Sequence, residues 1–186
     1  MEKEELSTQN IAVSRNRQLF KTGILFLGLV ILFDYVIWYF GQKEYLAFLD
    51  IFNAIVITKL IHLSGLEAIR ESNLIYLANT TWLVAVECTA IFLMAIYTSF
   101  ILAFPSTVRA KGVGLLAGIP FIFTVNIVRL FIMAWIDKLK PEYSEYFHNY
   151  AWQVFFILMI ILMWIIWIEK IAMSKYRRDQ DKTAAG

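Results

Sequence analysis

Four long apolar runs constrain the fold of this chain more than any other feature. The last of them contains the stretch from Ile157 to Trp167, in which no side chain is more polar than tryptophan. A helix that is apolar on every side belongs inside a membrane or deep inside a core, and each run approaches the ~20 residues that cross a bilayer. We therefore predict an all-α, polytopic transmembrane helical bundle, with spans near residues 23–40, 88–104, 112–136 and 150–168.

Composition agrees with a membrane protein. Apolar residues make up 60% of the 186 positions and the mean hydropathy is +0.63, whereas apolar residues are roughly half of a soluble domain. The net charge is only +2, and the positive residues lie beside spans instead of forming a patch for nucleic acid. We expect one integral membrane domain that covers residues 1–186 and binds no nucleic acid.

Basic residues next to the spans predict the orientation of the chain. They lie in residues 1–22, 105–111 and 169–186, and cytoplasmic segments carry the excess of lysine and arginine. We place these three segments in the cytoplasm, which leaves residues 41–87 and 137–149 outside. The first apolar run is too long for a signal peptide and no small-x-small cleavage pattern follows it, so we expect it to remain as an anchor.

Residues 45–63 leave the number of spans open. The segment is apolar enough to cross, but it contains Asp50 and Lys59. A charge at mid-bilayer costs ~2.5–3.5 kcal/mol on insertion scales. We predict a partly inserted helix on the outer surface and four full spans. Five spans, with the N-terminus outside, are the alternative.

A short extracytoplasmic excursion follows this segment. Residues 74–78 and 82–86 are rich in β-branched, aromatic and aliphatic side chains, and Asn79-Thr80-Thr81 separates them. This pattern predicts a hairpin-like structure. The same triplet is a sequence acceptor for N-glycosylation, but such triplets are common by chance, and we assign no glycan to it.

Cys88, the only cysteine, stands where this excursion meets the second of the four spans. A single membrane cysteine is ordinarily a small buried apolar residue. In the first turn of a helix, however, free backbone N–H groups and the helix dipole stabilise a thiolate. Glu87 beside it can orient His148 or shape a substrate pocket, or it is a first-turn acid favoured by the helix dipole. Its negative charge opposes ionisation of the thiol.

Arg129 lies within an otherwise apolar span. An arginine inside a span is costly and marks a candidate functional site, although it can also extend its charge to the interface. Asn126 is one helical turn earlier on the same face, where it can orient the guanidinium. Asp34, in the first span, is also costly there unless it is paired or hydrated, and we assign it no chemistry.

His148 precedes the last span. In the predicted topology it lies at the same outer level as Cys88 and Arg129. A histidine there can take the proton of a thiol and later donate it to a leaving amine. The two histidines and one cysteine lack metal-ligand spacing, and the chain has no phosphate-binding or dinucleotide-binding loop, so we expect no metal and no cofactor.

Together these residues resemble the archaeosortase/exosortase family. The family motifs are a Cys-(Ser/Thr)-Gly-(Leu/Ile) sequence, an Asn-x-x-Arg near the end of the next span, and a histidine before the following one. The matching positions are Cys88-Thr89-Ala90-Ile91, Asn126 to Arg129, and His148. Ala90 departs from the glycine that is usual in the family, which we interpret as a change in helix packing.

The resemblance implies a membrane cysteine transpeptidase with Cys88, Arg129 and His148 as catalytic residues. Its substrates would be exported proteins that end in a short signature, a membrane helix and a basic tail, and a membrane lipid would accept the product. One alternative is a membrane cysteine protease that only hydrolyses. Another is a transport or assembly protein without enzymatic activity, in which Arg129 and Asp34 line a path.

Overall fold

The computed structural model describes residues 2–77, 80–146 and 150–173, without the side chains of residues 2–15, 87 and 143–145. Helices dominate these residues, and a small sheet separates the second helix from the third. In chain order the helices are α1 (Glu2–Gln42), α2 (Ala47–Leu63), α3 (Ile91–Ala103), α4 (Val108–Leu139), α5 (Pro141–Tyr146) and α6 (Trp152–Trp167).

Three segments are long and apolar enough to cross a membrane. They are Asn16–Gln42 in α1, Val108–Leu139 in α4, and Trp152–Ala172, in which α6 continues into a π-helical turn. The mostly helical, polytopic prediction is confirmed. The predicted span at 88–104 is the exception in length, because α3 has only 13 residues and is about 20 Å long. The helix α3 packs against α1, α4 and α6. Because these helices surround it, α3 does not have to cross the full thickness of the bilayer by itself.

The helices α3, α4 and α6 pack closely because α4 carries small residues where the others contact it. The Tyr97 hydroxyl of α3 donates to the Gly114 carbonyl of α4 at 3.1 Å. The Trp167 indole of α6 donates to the Ala110 carbonyl at 3.0 Å. Gly114 and Gly118 are one turn apart, the spacing that lets membrane helices approach closely.

The helix α2 lies alongside the C-terminal half of α4. Its Phe52 ring stacks on Phe123 with the ring centroids 5.8 Å apart. Asp50, Asn53 and Thr58 of α2 are buried, whereas Lys59 is exposed. The polar residues of this segment are therefore turned mainly into the protein, which lowers the cost that the sequence alone assigns to inserting it.

The small sheet contains three antiparallel strands in the order β1 (Ile69–Glu71), β2 (Leu74–Tyr76) and β3 (Thr81–Leu83). The predicted hairpin is present as β2 and β3, although both strands are shorter than expected, and the sequence analysis missed β1. Asn79 lies outside the described residues. Ile75, Val84 and Ala68 of this region join a buried cluster with Leu130 and Ala134 of α4, and this cluster fixes the sheet against that helix.

Candidate active site

Cys88 lies in a short 3₁₀ turn, Val86–Thr89, and not in the first turn of a helix as predicted. Its backbone N–H donates to the Ala85 carbonyl at 2.8 Å. The helix α3 begins only at Ile91, after Ala90 has turned the chain. The argument that free N–H groups of a helix start stabilise a Cys88 thiolate therefore does not apply in that form.

Ala90 explains this break. Its φ is +61° and its ψ is +14°, the left-handed region that costs an L-residue roughly 1–2 kcal/mol and that glycine occupies freely. A glycine, which the resemblance leads us to expect at this position, would adopt this conformation without strain. The interpretation based on helix packing stays a prediction beside it, because Ala90 is also buried in a cluster with Tyr97 and Ile122.

Asn126 joins Cys88 to Arg129. The Asn126 side chain is completely buried, and its Nδ2 donates to the Cys88 carbonyl at 2.7 Å. Its Oδ1 accepts from Arg129 Nη1 at 3.3 Å. Both hydrogen-bonding ends of one amide are used, so α4 holds the turn that carries Cys88 and orients the guanidinium at the same time.

Arg129 is 9% exposed, which excludes the alternative in which it extends freely into the interface. Its guanidinium carbon lies 5.7 Å from the centre of the Phe156 ring on α6, within the range of a cation–π interaction. It also interacts electrostatically with Cys88. Among the described residues, no group accepts a hydrogen bond from its buried Nε, so this donor remains available.

His148 lies outside the described residues, and so does the side chain of Glu87. The nearest described part of α6 does reach the site: the Trp152 indole contacts the Met133 sulfur of α4 at 3.1 Å. Met133 is one turn beyond Arg129 on the same buried face of α4. The structure therefore brings together Cys88, Asn126 and Arg129, and leaves the roles of His148 and Glu87 as predictions.

A cavity of about 450 Å³ opens beside Cys88. One wall is β3 with its neighbouring residues, and the other is the C-terminal part of α4, from Leu130 to Asp137. The two walls are joined by a hydrogen bond of 2.5 Å from the Trp82 indole to Asp137 Oδ2. The cavity therefore leaves one side of the Cys88 turn open between β3 and α4.

Asp137 was missed because we predicted that the span ends at Ile136 and that a loop follows. In fact α4 continues to Leu139, just before Pro141. Asp137 is 5% exposed and follows Asn126, Arg129 and Met133 at steps of three and four residues. Extending this helical periodicity as far as Pro141 would have placed Asp137 on the same face of α4 as Arg129.

Two other polar residues are separate from this site. His62 Nε2 lies 2.6 Å from the Ala68 carbonyl, so it holds the chain between α2 and β1. Asp34 is exposed on α1, whereas Arg129 is buried between helices. Within the described residues, no group of three histidine, cysteine, aspartate or glutamate side chains could hold a metal ion.

Fold and site together define a polytopic helical membrane protein with a cysteine and an arginine coupled through a buried asparagine. The chain belongs to the transmembrane exosortase family, whose model matches residues 14–165. It is 27% identical over 180 residues to a protein of Methanocaldococcus jannaschii described as probable archaeosortase E, a match that covers 97% of this chain and 92% of the relative. No solved structure matches the chain.

Proposed function

We propose that this protein is a membrane-embedded cysteine transpeptidase that cleaves the C-terminal sorting signal of exported proteins. The observation that carries the proposal is the Asn126 amide, which links the turn of Cys88 to Arg129 next to a cavity. Family membership and the archaeosortase relative support the same chemistry. The substrates would end in a short signature, a membrane helix and a basic tail.

The reaction has two acyl-transfer stages. The Cys88 thiolate attacks the carbonyl carbon of the scissile peptide bond, and the Arg129 guanidinium stabilises the negative oxygen that develops. The C–N bond then breaks, His148 donates a proton to the leaving amine, and a thioester remains on Cys88. The proton that His148 donates is the one it took from the Cys88 thiol. An amine of a membrane lipid then attacks the thioester and gives up a proton to His148, which forms a new amide and releases the Cys88 thiolate.

The topology supports this reaction at the outer face of the membrane. With the basic segments in the cytoplasm, α1 leads outward, α3 inward, α4 outward and α6 inward, and α2 is only partly inserted. Cys88 is at the outer start of α3 and Arg129 is in the outer half of α4. The whole chain then forms one domain with cytoplasmic tails at residues 1–22 and 169–186.

The test compares exported proteins in host cells that make the wild-type enzyme, the Cys88→Ala variant or the Cys88→Ser variant. C-terminal peptides are identified by mass spectrometry of the membrane and surface fractions. We expect a set of proteins to lose the C-terminal helix and basic tail only with the wild type. Unchanged processing in Cys88→Ala cells would overturn the enzymatic proposal, provided that the variant accumulates in the membrane.

The new C-termini decide between transfer and hydrolysis. Transpeptidation adds the mass of an acceptor to the cleaved carboxyl group, whereas a protease leaves a free carboxylate. A transport function receives less support, because Asp34 is exposed on α1 while Arg129 is buried against Asn126 and Phe156. Those two charges do not line a common path through the described part of the protein.

A further inference from the structure

The cavity beside Cys88 follows an edge of the sheet and not one of its faces. Side chains of a strand alternate between the two faces, so a cavity on a face contacts every second residue. This cavity is lined by five consecutive residues, from Thr80 to Val84. Such an uninterrupted run indicates that the cavity extends along the backbone of β3, at the edge that β2 does not occupy.

The backbone hydrogen bonds identify which groups of β3 face that edge. Val84 donates to the Asn73 carbonyl and the Thr80 carbonyl accepts from Leu77, while Trp82 is the Cα partner of Ile75. Residues 80, 82 and 84 therefore direct their backbone groups toward β2. By the alternation of an antiparallel strand, Thr81 and Leu83 direct their N–H and carbonyl groups to the free edge.

The dimensions of the cavity suit a short extended peptide. Asn126 holds the Cys88 turn at one end, and Asp137 binds Trp82 at the other. The α4 wall of the cavity runs from Leu130 to Asp137, which is about 10 Å along a helix. An extended chain covers that distance with about three residues.

We propose that the substrate binds as an added strand on the free edge of β3, with the backbone groups of Thr81 and Leu83 pairing with it. This inference rests on the proposed function and specifies how that function recognises its substrate. The occupant is the segment on the N-terminal side of the scissile bond, because the segment on the other side continues into a membrane helix. Main-chain pairing supplies affinity for any extended sequence, and side-chain contacts supply selectivity.

Trp82 and Asp137 position this edge. Their hydrogen bond ties β3 to α4, so the two walls of the cavity keep a constant separation. Asp137 lines the cavity at the end distant from Cys88, and its Oδ2 accepts from Trp82. In the proposed complex this carboxylate also accepts from an N–H of the bound strand.

The experiment measures alkylation of Cys88 by acetyl-(Ala)n-chloromethyl ketones with n from one to five, using the full-length protein in detergent micelles. The sulfur displaces chloride from the chloromethyl carbon, so an S–C bond forms, a C–Cl bond breaks, and the thiol proton passes to solvent. We expect the second-order rate constant to rise about tenfold or more from n = 1 to n = 4, because each net hydrogen bond contributes ~1 kcal/mol. Iodoacetamide, which has no peptide backbone, serves as the reference reagent.

Two matched variants isolate the contribution of the Leu83 backbone N–H to alkylation by the peptide reagents. Leu83→Pro removes the free-edge N–H without removing a bond to β2, a placement of proline that edge strands tolerate. Leu83→Ala makes a comparable change in an exposed side chain and keeps the N–H. We expect the length dependence to disappear in Leu83→Pro and to persist in Leu83→Ala, with each rate constant expressed relative to the iodoacetamide rate of the same variant.

A second measurement uses the wild-type protein alone, so that folding of a variant does not enter. Each amide of the tetra-alanine reagent is N-methylated in turn. Strand addition predicts that methylation slows alkylation at every second amide only. A rate that is independent of length, or that falls uniformly along the peptide, would overturn the strand proposal even if Cys88 is reactive. A Cys88 that resists all reagents, including iodoacetamide, would instead contradict the proposed function.

Discussion

The Asn126 amide and the Cys88 carbonyl are joined by a hydrogen bond of 2.7 Å between residues 38 positions apart in the chain. The same amide accepts from Arg129. The nucleophile and the cation therefore share one anchor, and a change in that anchor affects both. This arrangement makes Asn126 a positioning residue, since it acts through Cys88 and Arg129.

Replacing Asn126 by Ala should slow alkylation of Cys88 by iodoacetamide about tenfold, because the loss of one buried hydrogen bond costs ~1–3 kcal/mol. Arg129→Ala should slow it at least as much, since it removes the positive charge that interacts with Cys88. The measurement is the second-order rate constant below the unfolding temperature. Asn53→Ala is the control: Asn53 is also a buried asparagine, but its Nδ2 donates to Leu49 within α2. If Asn53→Ala slows alkylation as much as Asn126→Ala, the effect is a general loss of packing.

Ala90→Gly should stabilise the protein by about 1 kcal/mol, because glycine adopts a φ of +61° without strain. Thermal unfolding in detergent, followed by circular dichroism, measures the change. Ala95→Gly, in the interior of α3, should lower stability by about 0.5–1 kcal/mol because glycine is a poor helix former. A destabilised Ala90→Gly variant would contradict the conformational explanation of this position.

Gly118→Ala should destabilise the protein by about 1–3 kcal/mol, the typical cost of adding atoms to a filled core. A Cβ at Gly118 would overlap the Tyr97 ring, and one at Gly114 would overlap the Trp167 indole. Gly112→Ala, in the same helix, meets nothing within 4 Å and should be neutral or slightly stabilising. Equal effects at Gly118 and Gly112 in the same unfolding assay would show that close packing of α3 on α4 is unimportant.

The bond between Trp82 and Asp137 should appear as a coupling energy of about 1–3 kcal/mol in a double-mutant cycle, since its acceptor is a buried carboxylate. The cycle uses Trp82→Phe, Asp137→Leu and the double variant, with unfolding free energy as the readout. Asp137→Asn keeps an acceptor oxygen and should retain more stability than Asp137→Leu. Additive losses would show that β3 and α4 are not linked through this contact.

Sequence reasoning succeeded where a property depends on the composition of one continuous segment. The apolar runs near residues 112–136 and 150–168 were found within a few residues of α4 and α6, because burial in lipid requires an unbroken apolar surface. Arg129 stood out for the same reason, since a charge within such a run is costly wherever its partners lie. The cysteine and the arginine could therefore be selected as candidates before any fold was known.

Only the tertiary structure decided how these residues meet. Cys88 lies in a 3₁₀ turn because Ala90 adopts a left-handed conformation, and side-chain type does not report φ for an alanine. The contact of Asn126 with Cys88, the burial of Asp137 against Trp82, and the strand β1 depend on segments distant in the chain. The sequence by itself determined which segments are apolar enough to enter a membrane and which polar residues would be costly there. The partners of these polar residues depend on how the helices pack against one another. That packing is the sum of many contacts between distant segments, and no local sequence pattern encodes it.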